Sequence, residues 1–270
     1  MSEPEPPSTL LALRLGFPGA SATYRELRKP DPRLTVRTVG VRIWRYDGLD
    51  PLPAVAAPSS ESAELVRQAA NVVWAHVPEA YDQAVQLAGV PLDDLLGVLA
   101  HPPAPREDEL GQALLSRQPE LWIRAVQAFT CLGIAHHRTD QPWHGSDRRR
   151  ILLDLLFGPE DWAVEAAGFA LVAVAWTHPE TRHDIGQQLR IRLLAVASAY
   201  RQRDVTILDS VCTLLLACPW LDQQSLSLAH DLIDRRRNDM AAYAAEQDES
   251  EASAAPSQPR GLKRLFRRGR

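Results

Sequence analysis

Three groups of side chains in this sequence are spaced so that they could do chemistry. The first is His136, His137, Asp140, His144 and Asp147, five potential metal ligands within twelve residues. Zinc takes such nitrogen and oxygen donors in a tetrahedron. Adjacent histidines on a helix, however, point about 100° apart and rarely ligate one ion together. No Glu completes an H-E-x-x-H pattern. The simpler reading is a polar loop over 138–147, and no metal is expected. The second group is Arg148-Arg149-Arg150, which opens a helix. The helix dipole disfavours cations there by roughly 0.3–1 kcal/mol each. The placement calls for a compensating anion, either a carboxylate of this chain or one brought by a partner. Trp143, in the loop beside Gln141-Pro142, is expected to be exposed next to them. The third group is the C-terminal tip. At about 100° per residue, Leu262, Leu265 and Phe266 share one sector, and Lys263, Arg264, Arg267 and Arg268 fill the other. Such a short basic amphipathic helix can meet an anionic membrane, an acidic partner or the acidic body of the chain, or stay solvated.

Other chemistries find no support. Gly40, Gly89, Gly97, Gly111 and Gly133 are scattered singly, so no phosphate loop forms. There is no G-x-S-x-G, and no Ser or Cys pairs with a His. Asp93-Asp94 and Glu160-Asp161 read as charges at helix N-termini. No catalytic residue and no cofactor is therefore expected. The seven tryptophans are Trp44, Trp74, Trp122, Trp143, Trp162, Trp176 and Trp220. They could line a stacking groove, but Trp122 and Trp162 recur at equivalent positions, which favours packing.

The elements that must hold these groups are helices. One apolar phrase recurs at 63–79, 119–139 and 159–180, and both Trp122 to Trp162 and Ala135 to Ala175 are forty positions. A period near forty is the mark of stacked helix pairs. Trp162, Ala166, Phe169, Ala173 and Trp176 follow spacings of four and three, one helix face. Forty positions earlier the face reads Trp122, Val126, Phe129, Gly133 and His136, with Thr130 on its flank. Leu65, Ala69, Val72 and Val73 keep the same spacing. Further helices are expected at 10–15, 79–87, 92–99, 107–115, 148–157, 180–200, 204–218 and 223–245. The run 34–46 is ambiguous. Its β-branched content favours a strand, while Val36, Val39, Ile43 and Trp44 fit a helix, as does Asp31 before Pro32 as an N-cap. Repeat context decides for helix.

The stretch Asp31-Pro32-Arg33-Leu34-Thr35-Val36-Arg37, then Val39-Gly40, Trp44, Asp47-Gly48 and Leu52-Pro53, resembles a HEAT repeat. Val66-Arg67 with Ala69-Ala70, Ile123-Arg124 with Ala125, and Val164-Glu165 with Ala166-Ala167 resemble the same phrase. Glu165 departs from it, standing where Arg is usual. The resemblance spans about 30–235 and implies an all-α fold, a right-handed α-solenoid of about five HEAT-like helix pairs over residues 30–245. Residues 1–29 form a tail with a short helix, and 246–270 a disordered linker ending in the basic tip.

Composition narrows the function. The 270 residues are 45% hydrophobic and carry a net charge of −4. Arg260, Lys263, Arg264, Arg267, Arg268 and Arg270 place +6 in the last eleven residues, leaving −10 on the rest. An acidic body with a basic tip reads as an interaction tail. It offers no global footprint for nucleic acid, whose phosphates need a basic groove. All but two basic residues are Arg, which fits a GC-rich bacterial genome. Cys131, Cys212 and Cys218 lie in apolar runs, as small buried hydrophobes do in a reducing cytosol. The longest uncharged apolar run, 166–176, falls short of the roughly 20 residues a membrane span needs. With no secretory signal at the acidic N-terminus, a cytoplasmic protein is expected.

The expected function is a non-catalytic scaffold or adaptor that presents a helical surface, lined by second helices, to another protein. Trp122-Ile123-Arg124 and Trp162 faintly resemble a HEAT-like DNA glycosylase of the alkylpurine type, the first alternative, against which the acidic body argues. A peripheral membrane regulator using the tip is the second.

Overall fold

A computed structural model describes residues 34–39, 42–46, 56–71, 86–106, 119–158, 162–202, 205 and 207–254. The chain divides into two compact units, 1–232 and 233–270. The fold is helical apart from one antiparallel hairpin, β1 Leu34–Val39 and β2 Arg42–Tyr46. Leu34 pairs with Tyr46, Val36 with Trp44 and Val39 with Arg42, with a register irregularity between Val36 and Val39. This corrects the helix expected over 34–46. β-branched residues at 35, 36, 38 and 39 and aromatics at 44 and 46 suit a pleated backbone, and here local propensity prevailed over repeat context. The helices expected at 10–15 and 107–115, and most of that at 79–87, lie outside the described residues.

The first unit then runs through α1 Ser60–Ala70, a 3-10 turn Leu87–Gly89, α2 Leu92–Ala100 and α3 Pro119–Ala135. A 3-10 turn Trp143–Gly145 leads to α4 Asp147–Leu156, α5 Trp162–Thr177, α6 Arg182–Tyr200 and α7 Leu208–Leu216. The last helix, α8 Gln223–Ala254, begins in the first unit and supplies the described part of the second. It corrects the linker expected from 246. Ala241, Ala242, Ala244, Ala245, Glu246, Gln247 and Glu249 are strong helix formers, and no proline interrupts them before Pro256.

Local chemistry fixes the helix starts. Ser59 caps α1, its Oγ accepting from the Ser62 amide at 3.3 Å. The Ser59 and Ser62 hydroxyls each donate to Asp94 at 2.6 Å, tying α1 to the first turn of α2. Those hydrogen bonds hold the Asp94 carboxyl below the usual carboxylate range. Ser146 caps α4 through the Arg149 amide.

The core of the first unit lies between α3 and α5. Trp122, Val126, Phe129 and Leu132 of α3 are fully buried, and Thr130 donates its hydroxyl to the Val126 carbonyl. α5 has α3, α4, α6 and α7 around it and is buried from Ala163 to Ala175. A helix apolar all round is what such a central position requires. Gly133 lets α3 close on its neighbours, since a Cβ there would stand 2.9 Å from Leu87 Cβ. The three cysteines are buried and unpaired with one another. Leu65, placed with Ala69 on one stripe, is instead 43% exposed.

A charged seam crosses this core. Glu165, where the repeat phrase expects Arg, is buried on α5 and accepts from the Ser210 hydroxyl of α7. The Arg124 guanidinium of α3, also buried, lies 3.9 Å from its other oxygen.

Candidate partner-binding surface

Two corners of the first unit are built alike. Ala135 and Ala175 lie in the last turns of α3 and α5, where carbonyls have no helical partner. Arg148 Nη1 donates to the Ala135 carbonyl at 3.1 Å, and Arg182 Nε donates to that of Ala175 at 3.0 Å. Each guanidinium also lies over an indole, Arg148 over Trp143 at 5.4 Å and Arg182 over Trp220 at 4.6 Å.

The first corner is closed by a carboxylate. Asp184, in the first turn of α6, accepts from Arg149 Nε at 2.8 Å and Arg149 Nη2 at 2.7 Å, a bidentate pair. It also accepts from Trp143 Nε1 at 3.0 Å. The Arg149 bonds hold the Asp184 carboxyl below its ordinary range, and the indole N–H adds to that. Trp143 is therefore 8% exposed, which corrects the exposed position expected from its loop setting. The arginine triplet is engaged inside the chain. Arg148 caps α3 and covers Trp143, Arg149 binds Asp184, and Arg150 pairs with Asp147 at 2.5 Å while staying exposed. The intramolecular carboxylate that their position called for is Asp184, with Asp147 added.

The histidine cluster does not converge. Among the described residues, no three His, Cys, Asp or Glu side chains come together as a metal site. Burial, with the nearby charges of His178 and Arg148, pushes the His136 imidazole down to about 4.

The second corner is open. A groove of about 530 Å³ runs between the N-terminal half of α6 and residues 220–222, lined by Arg182, His183, Gln187, Arg190, Trp220 and Leu221. Gly186 sits at its floor because a Cβ there would stand 2.8 Å from Leu221 Cδ2. Trp220 packs edge-on against Trp176 at 5.1 Å, and the Trp176 N–H is spent on the Ala217 carbonyl. The Trp220 N–H is buried and has no acceptor among the described residues. Among the described residues, neither Arg182 η nitrogen has a hydrogen-bond acceptor, and Arg190 pairs with Asp222 at 4.0 Å. Asp222 is engaged with the first turn of α8, accepting from the Ser225 amide at 2.9 Å and hydroxyl at 2.8 Å. The groove is thus rich in donors and poor in acceptors.

From this groove an exposed strip continues along α6. Gln187, Arg190, Ile191, Leu194 and Ser198 follow helical spacing, with Ile191 45% and Leu194 50% exposed. Sequence reasoning missed this strip. Its signal was the alternation of apolar and basic residues at intervals of three and four on one helix.

The remaining candidates fall elsewhere. Trp122 is in the core, its N–H donated to the Pro103 carbonyl at 2.9 Å. Leu262, Lys263, Arg264, Leu265, Phe266, Arg267 and Arg268 lie outside the described residues, as do Trp74, Val72 and Val73. Among the described residues no helix is long and apolar enough to cross a membrane. No protein-family model, curated protein or solved structure matches this chain.

Proposed function

We propose that this protein is a non-catalytic interaction scaffold, a HEAT-like right-handed solenoid that binds another protein through the outer face of α6. The observation that carries this reading is the pair Ile191 and Leu194, two large aliphatic side chains exposed on one face of a helix whose opposite face is buried. Exposed apolar residues scattered singly need no explanation, whereas grouped ones beside polar groups mark interaction surfaces. α6 is the second helix of its pair with α5, the position expected to line a binding surface in such a repeat. A cytoplasmic location fits three buried cysteines that form no disulfide with one another. The basic tip, 261–270, is proposed as an auxiliary contact for an anionic membrane surface or an acidic partner.

The test is affinity capture with the full chain and with the Ile191→Asp/Leu194→Asp variant. Both must first give the same helical circular dichroism. Proteins retained by the native chain and lost on the variant support the reading. Identical capture by both would remove α6 as the binding face.

A further inference from the structure

We infer that the open corner between α6 and residues 220–222 is a receptor for a carboxylate side chain, carried by an acidic, partly apolar segment of a protein partner. This rests on the reading of the α6 face as a partner surface and names the chemistry of what lands there. At the first corner a carbonyl-capping arginine over an indole is completed by a carboxylate, Asp184, which takes a second arginine through two bonds. At the second corner the carbonyl-capping arginine and the indole are again present, with a second arginine, Arg190, nearby. Among the described residues, no carboxylate takes the equivalent place. Asp222, the acidic residue of the groove, is turned to the Ser225 amide and hydroxyl and reaches Arg190 only at 4.0 Å.

The unused donors set the ligand class. Arg182 is held by its Nε and by the Trp220 ring, so its η nitrogens are presented in a fixed direction. A guanidinium fixed in this way fits a planar carboxylate better than a lone ammonium would. Gln187 and His183 are exposed at the same rim and add further donors. A second acidic partner group is not needed, because one carboxylate would offset the surplus of two arginines over Asp222. One turn further along α6, Ile191 and Leu194 would take aliphatic side chains. An occupant with an acidic residue followed within a turn or two by leucine-like residues matches both parts of the surface. A basic segment, such as the chain's own tip, meets like charge at Arg182 and Arg190.

The experiment is selection of random peptides, fused to their carrier through their C-terminal ends so that no free C-terminus is present, on the immobilised full chain. Selected sequences should share an Asp or Glu near Leu, Ile or Phe. Amidated synthetic copies are then titrated by fluorescence anisotropy. Arg190→Gln, at an exposed position, should weaken them about tenfold, as should Glu→Gln in the peptide. Affinity should fall as salt shortens the screening length from about 10 Å to about 3 Å. Arg182→Lys keeps the charge and loses the fork, and should weaken binding at every salt concentration. A free-acid peptide binding better than its amide, with no need of the internal acid, would assign the corner to C-termini and overturn the inference. Peptides that lack an acid, depend on Ile191 and Leu194 and ignore Arg190 would overturn it while leaving the α6 surface standing. Failure to select any peptide would remove both.

Discussion

The corners at Ala135 and Ala175 use the same two parts, an arginine on the final carbonyls of a helix and an indole beneath it, yet one is sealed and the other open. The difference is one carboxylate. Asp184 and Arg182 are two residues apart on α6, about 200° around a helix, so one turn of backbone serves both corners. Asp184 reaches back to Trp143 and Arg149, while Arg182 reaches Ala175 and Trp220. The comparison teaches that the arginine–tryptophan pair is a capping device, and that a third group decides whether it becomes structure or surface.

Removing that third group should have the largest effect. Asp184→Asn leaves Arg149 in a half-buried site without its bidentate partner, and stability should fall by about 3 kcal/mol. In a chain of this size the melting temperature would then drop by roughly 10 °C. A loss below about 0.5 kcal/mol, the range of ordinary surface changes, would show that the closed corner is held by packing alone. Glu165→Gln offers a reference, because it disturbs the Arg124 and Ser210 contacts of the core without touching either corner.

Acid should distinguish the corners next. Burial holds the His136 imidazole down at about 4 in the folded chain, against an ordinary value of about 6.5. Between those values the unfolded chain takes up a proton that the folded chain refuses. Stability is therefore flat above about 6.5 and falls on acidification toward 4, by on the order of 3 kcal/mol. The Asp184 carboxyl is lowered, so its contribution is present above the usual carboxylate range and is lost as pH falls through its folded value. Urea midpoints measured against pH should show both steps, with His136→Gln removing the upper one and Asp184→Asn the lower. A native curve that stays flat from pH 7 to 4 would contradict the assignment for His136.

At the open corner the same kind of truncation should matter less. Arg182→Ala removes one carbonyl cap and one cation–aromatic contact, worth about 1 kcal/mol in thermal unfolding. A cost equal to that of Asp184→Asn would make the two corners equivalent structural clamps. The smallest change is expected from Gln187→Glu, which supplies the open corner with a carboxylate of its own. Stability should shift by less than about 0.5 kcal/mol, while capture of acidic peptides should be lost. Unchanged capture would place the receptor elsewhere.

Much of the helical plan was legible in local chemistry. Alternating intervals of three and four announced α3 and α5. These are short-range signals, set by side chains one turn apart. The hairpin at 34–46 was present in the same residues as β-branched content, but a helical period in Val36, Val39, Ile43 and Trp44 competed with it. The corners were harder to read, because Trp143 meets Asp184 across 41 positions and Trp176 meets the loop at 217–220 across about the same span. Polar loop residues beside a tryptophan say nothing about a carboxylate that arrives from another helix.

Local sequence set where most helices lie and that the three cysteines would be buried. Periodicity and capping are properties of neighbouring residues, so they survive without knowledge of the fold. Only the tertiary structure decided that α5 is enclosed on all sides, that Glu165 is answered by Arg124 and Ser210, and that Trp143 is sealed while the corner at Trp220 stays open. Each of these depends on groups brought together from distant positions. Whether a charge is a cost, a clamp or a contact is fixed by which opposite charge the packing delivers to it.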